Sequence, residues 1–175
     1  SATITVTPSY ENNGIICAGN AETFTVVVNP SPEMENVDDI VLCNNEISSI
    51  IEFTTPNTDG NTTYTWTNDN TSIGLSSSGN GDIPSFTAIN LNPITEVATI
   101  TVTPTYENNG VVCIGDPQTF SISVLSEIEI SGSTVDALDC NDPNSGNINI
   151  TVTGGSGVYD FLWSNGAITE DLNNI

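Results

Sequence analysis

Residues 98–124 read ATITVTPTYENNGVVCIGDPQTFSISV. Residues 2–28 read ATITVTPSYENNGIICAGNAETFTVVV, and without a gap 17 of 27 positions are identical at an offset of 96. That offset is the length of a domain, well above the ~20–50 residues of a solenoid turn. Inside the stretch, Ile100 and Val102 alternate with threonines, the period-2 pattern of a strand with one buried face. IIEFT (50–54), TYTWT (63–67), SFTAI (85–89) and TFSIS (119–123) repeat the pattern. PNTDGN, SSSGNGD, NLNP and ENNG punctuate them with turn-forming residues. No stretch carries helical periodicity. The reading is all-β: tandem immunoglobulin-like antiparallel β-sandwiches, with Tyr64 and Trp66 on one face of the third strand. Residues 1–30 are then the last strands of a preceding domain, 31–126 a complete domain, and 127–175 the start of a third, truncated one.

Composition narrows function sharply. The 175 residues hold 22 acids and no Lys, Arg or His, for a formal net charge of -22. A chain without cations cannot neutralise phosphates, which excludes nucleic acid binding through the backbone. Imidazole acid–base chemistry, Schiff bases and His metal sites are excluded for the same reason. A Ser or Cys nucleophile would lack its usual base. Paired carboxylates need a cleft and separations of ~5–9.5 Å, and a small repeated sandwich offers little room for one. The expectation is that the chain is not an enzyme. The 24 Thr and 23 Asn supply the polar surface that Lys and Arg would otherwise provide. No run of ~18 apolar residues is present, so no segment should insert into a membrane. The opening SATITVTPSY is not a signal peptide, so export would be specified elsewhere.

LCNNE, TYTWTNDNTSIGL, GDIPSFTAIN and the repeated stretch resemble the PKD-like repeats of giant Bacteroidetes surface proteins. GNINITVTGGSGVYDFLWSNGAITEDLNNI (146–175) resembles the SprB repeats of gliding-motility adhesins. The resemblance implies an extracellular, outer-membrane-associated surface protein whose repeats serve gliding or attachment. This segment would be a stalk that holds the adhesive part away from the cell. Its partners would be neighbouring repeats and an unidentified surface or glycan ligand. The alternative is a carbohydrate- or ligand-binding accessory module of a secreted protein. VLSEIEIS (124–131) lacks Gly and Pro and should continue strand-like from one unit into the next.

The four cysteines suit disulfides in an oxidising compartment. Cys43–Cys113 would close the complete domain, if both lie at the pole where the chain enters. The other pairing is Cys17 with Cys43 and Cys113 with Cys140. Acids gather at both junctions: Glu33, Glu35, Asp38 and Asp39 at the first, and Glu127, Glu129, Asp136, Asp139 and Asp142 at the second. Neither segment has EF-hand spacing. No cofactor is expected, and the acids read as solvated; Ca²⁺ held by Glu129, Asp136, Asp139 and Asp142 is the alternative. For a sugar, Trp66 and Trp163 read as core residues. Tyr106 and Tyr10, each followed directly by the ENNG turn, are the candidates for an exposed stacking platform.

Overall fold

A computed structural model describes residues 1–135, 146–173 and 175. Among these, twelve strands and one 3-10 turn (Thr71–Ile73) make up the regular structure, so the chain is all-β. Strands β1 (Ala2–Val6) and β4 (Glu22–Val26) pair antiparallel, as do β2 (Ser9–Asn12) and β3 (Ile15–Ala18). Then come β5 (Ile40–Cys43), β6 (Asn61–Asn68), β7 (Ser78–Asn80), β8 (Glu96–Asn108) and β9 (Val111–Ile114). Last are β10 (Gln118–Val135), β11 (Asn147–Gly155) and β12 (Leu172–Asn173). One sheet runs β12-β11-β10-β8-β6-β7, with β5 added to β10 and β9 to β8.

Strand β8 shows why the sequence pattern works. Ala98, Ile100, Val102, Pro104 and Tyr106 are all buried, and the residues between them face outward. Across the sheet, Trp66 on β6 and Phe120, Ile122 and Val124 on β10 continue the same apolar face. Met34, Ile51, Phe53, Ile73, Leu75, Ile83 and Ala88 close over it. The Phe53 ring packs 5.5 Å from Tyr64 and 6.5 Å from Phe120, centroid to centroid.

The covering layer departs from the expected strands. IIEFT and SFTAI contribute only the isolated bridges Ile51↔Ile83 and Ile47↔Thr87. Side chains replace the missing ladder bonds: Phe53 N–H donates to Asp82 Oδ1 (2.9 Å) and Phe86 N–H to Ser48 Oγ (3.0 Å). Pro56 and Pro84 carry no N–H and interrupt a regular ladder. Conversely, SSSGNGD, read as a turn, contains β7. Gly79 lies flat against the Trp66 indole, where a Cβ would come within 2.3 Å of the ring.

Both ENNG tips form hairpins as expected. Asn13 and Gly14, and Asn109 and Gly110, have positive φ between 51° and 80°, the conformation that a two-residue I′ turn requires. Pairing repeats at the same offset: Ile4↔Phe24 and Tyr10↔Cys17 correspond to Ile100↔Phe120 and Tyr106↔Cys113.

Strand β10 sets the polarity of the unit. Its start lies beside the incoming chain, where Gln118 Nε2 donates to Met34 O (3.0 Å). From there it runs away from the β8–β9 hairpin tip. Strand β5 runs parallel to it, from Ile122↔Ile40 to Leu125↔Cys43.

Candidate functional site

Most of the described residues singled out from the sequence lie toward the two ends of the β8–β10 pair, where the chain enters beside β10 and where β10 leaves. The exceptions are Tyr64 and Trp66 in the core, Cys17 and Tyr10 on the first hairpin, and Trp163 further on. At the entry end Asn57 ties down the incoming chain. Its Oδ1 accepts from Glu33 N–H (2.7 Å) and its Nδ2 donates to Ser31 O (3.0 Å). Asp39 Oδ1 accepts from Ser121 N–H (2.7 Å). That backbone bond, joined by the Ser121 hydroxyl, holds the Asp39 carboxyl below its ordinary value. One acid of this cluster is therefore a clip between the incoming chain and β10, although Asp39 is exposed like Glu33, Glu35 and Asp38.

Tyr106 is not a platform. It is 1 % exposed, and its hydroxyl donates to Thr58 O (2.8 Å). The turn after it is exposed, but the side chain points to the opposite face of the strand. There Gly60 leaves room for the ring; a Cβ at Gly60 would sit 2.4 Å from Tyr106 Cζ. Tyr10, in the identical local sequence, is 68 % exposed. Trp66 is buried as expected, and Trp163 is half-buried with its indole N–H donating to Thr169 O (2.7 Å).

The cysteine pairing is corrected. Cys17, Cys43 and Cys113 are free thiols, with Cys17 and Cys43 exposed. Cys43 pairs with Leu125, adjacent to Val124, which pairs with Glu96; Cys113 pairs with Tyr106. Ten residues along β8 separate those levels, about 33 Å at ~3.3 Å per residue. A disulfide needs Cα atoms within ~7 Å. Cys113 does lie at the entry end, but β5 runs parallel to β10 and delivers Cys43 to the exit. The alternative Cys17–Cys43 pair likewise consists of free thiols, and Cys140 lies outside the described residues.

At the exit end β10 does not stop. Its 18 residues pair with β5 and β8 over the first half and with β11 from Ser126↔Gly155 to Val135↔Asn147. VLSEIEIS is thus strand throughout, as its composition predicts. The register shifts between Ser126 and Glu129, and Gly154, at φ 88°, lies where a Cβ would fall 1.8 Å from Glu127 O. The glycine lets β11 approach the bulge. Tyr159 braces the same turn, its hydroxyl donating to Gly154 O (2.5 Å). Glu127 and Glu129 line a cleft of about 320 Å³ with Asn44, Asn90 and Asn92. Among the described residues no group of three Cys, Asp or Glu is gathered as for a metal. Asp136, Asp139 and Asp142 lie outside the described residues.

A carboxylate that sequence reading passed over organises this end. Glu96 accepts from Asn70 Nδ2 (2.8 Å), Ser72 Oγ (3.2 Å) and Asn92 Nδ2. These bonds, with Asn70 contributing most, hold its carboxyl below the ordinary range. Buried Asn90 donates to Val124 O and Ile94 O, both at 2.8 Å. Asparagine amides thus supply N–H donors where other proteins use Lys and Arg. The only signal in the sequence was the abundance of Asn beside a few acids.

Gly154 and Gly155, the aromatic residues after them and the last residues of β10 fall within one sequence signature. Residues 132–168 match the SprB repeat family. This match bears out the resemblance of the last part of the chain to SprB-type repeats of Bacteroidetes surface adhesins, over residues 132–168 alone. No curated protein and no solved structure matches the chain. Among the described residues no helix is long and apolar enough to cross a membrane. The SprB segment spans the end of β10, all of β11 and the Trp163 loop.

Proposed function

We propose that this segment is a stalk piece of a secreted, multi-repeat cell-surface adhesin that serves attachment or gliding. In this reading a PKD-like, immunoglobulin-like unit (31–126) stands between the last strands of a preceding unit (1–30) and an SprB-type unit (127–175). The observation that carries the reading is β10, a single strand that pairs with β5 and β8 over its first half and with β11 over its second. A strand has no φ/ψ freedom to spare for a hinge, in contrast to a Gly/Ser linker.

The same strand suits the unit to tension. The chain enters beside the start of β10 and leaves along it, and β5 lies parallel to it. Pulling the ends apart loads the Ile122–Leu125 ladder along the strand axis, so its bonds must yield together instead of one at a time. No cross-link is needed for that resistance. The high negative charge keeps like repeats apart and soluble.

Blotting cell fractions with an antibody to the segment tests the reading. The expected result is a surface-associated polypeptide many times larger than 18.4 kDa. A free species of the segment's own mass, or one joined to a catalytic domain, would remove the stalk reading and favour the ligand-binding module.

A further inference from the structure

Strands β1 and β4 carry an apolar face that no other described residue covers. Ile4, Val6, Phe24 and Val26 are 45–58 % exposed, whereas their counterparts at the 96-residue offset, Ile100, Val102, Phe120 and Ile122, are 0–5 % exposed. The ladders beneath the two sets have the same register. Pairing and register are therefore equivalent, and the surroundings differ: β8 and β10 are flanked by β6 and β5 and covered by apolar residues of 31–96, whereas β1 and β4 form a two-stranded sheet. Tyr10 repeats the contrast. Its counterpart Tyr106 finds the Thr58 carbonyl and the Gly60 cradle, both supplied by the covering segment. The hairpin tips show the limit of the effect: Ile15 and Ile16 are exposed, and so are Val111 and Val112. A cover of this type reaches the tyrosine and stops short of the tip.

We propose that the β1–β4 face is a docking site for a covering segment of the type formed by residues 31–96, supplied by the same polypeptide ahead of Ser1. The occupant is specified by chemistry. It places apolar side chains equivalent to Phe53, Leu75 and Ile83 on Phe24 and Ile4, and a glycine and a backbone carbonyl on Tyr10. A second copy of this chain is the poorer occupant, because its own 31–96 segment is already spent on β8 and β10. The proposal rests on the tandem-unit part of the reading above and is independent of adhesion or gliding.

The test fuses a second copy of residues 31–96 directly ahead of Ser1 in the full chain. Position 97 corresponds to position 1, so the copied loop enters β1 at its native length. Amide exchange of β1 and β4, and binding of an apolar dye, are compared with the unfused chain. The expected outcome is protection of the Ile4 and Phe24 amides approaching that of Ile100 and Phe120, with loss of dye binding. A Gly60→Val change in the added copy alone should abolish most of the gain, while the resident 31–126 unit stays folded as the internal control. Unchanged exchange and dye binding in the fused chain would overturn the proposal. So would a stable dimer of the unfused chain in sedimentation with β1–β4 already protected, since the occupant would then be a second copy. The cell-fraction blot can fail without affecting this result.

Discussion

Replacing Tyr106 by Phe removes one oxygen from a side chain that is 1 % exposed and donates to Thr58 O at 2.8 Å. A neutral hydrogen bond to a backbone carbonyl contributes about 0.5–1.5 kcal/mol net. Thr58 itself is exposed, so water can re-solvate its carbonyl, and a loss of about 1 kcal/mol is expected. For a unit of this size that lowers the melting temperature by ~4–8 °C. Tyr106→Ala also empties the space over Gly60 and should cost about 3–5 kcal/mol, the range for large aromatic deletions. Tyr10 provides the control, with the same neighbours in sequence and 68 % exposure; Tyr10→Ala should stay within about 0.5 kcal/mol. The assay is urea denaturation followed by Trp66 fluorescence in a Trp163→Phe background, which reports on the core around Trp66. Equal losses for Tyr10→Ala and Tyr106→Ala would refute the reasoning, because burial would then not be what separates the repeats. A Tyr106→Ala protein of unchanged stability that had lost binding to a glycan would restore the tyrosine as a ligand contact.

Two further outcomes follow from the same geometry. A thiol reagent should label Cys17 and Cys43 in the native protein, and a reducing agent should leave the unfolding midpoint read by Trp66 fluorescence unchanged. A fall on reduction, with a peptide linking Cys43 to Cys113 in mass spectrometry, would show that the two form a disulfide after all. Asp39 and Glu96 both have carboxyls held below the ordinary range in the folded state. Their contribution is therefore present above the ordinary carboxylate pKa of about 4 and is lost as pH falls through the lowered folded values. The stability gap between wild type and Asp39→Asn should close below about pH 4. A gap constant from neutral to strongly acid pH would show that Asp39 is held by shape alone.

Strand β8 was legible because its information is local: a threonine at every second position with Ile100 and Val102 between them leaves one choice of buried face. The hairpin tips were legible because Asn and Gly tolerate the positive φ that the turn needs. The junction was legible because VLSEIEIS contains nothing that breaks a strand. The covering layer was not, because Asp82 and Ser48 supply bonds that a period-2 pattern cannot reveal. The bonds to Glu96 come from residues 26, 24 and 4 positions away, and none of those spacings is a motif.

By itself the sequence determined the 96-residue offset, the all-β class, the alternation of each main strand, the cation-free surface and the SprB signature. All of these are written in residue type and short spacing. Tertiary structure alone decided that Cys43 and Cys113 stand at opposite ends, because strand direction relative to β10, and not distance along the chain, sets the end at which a residue emerges. It alone decided that Tyr106 is core and Tyr10 is surface. Two tyrosines in the same YENNG differ only in what lies across from them, and burial belongs to a pair of surfaces, of which a local sequence describes one.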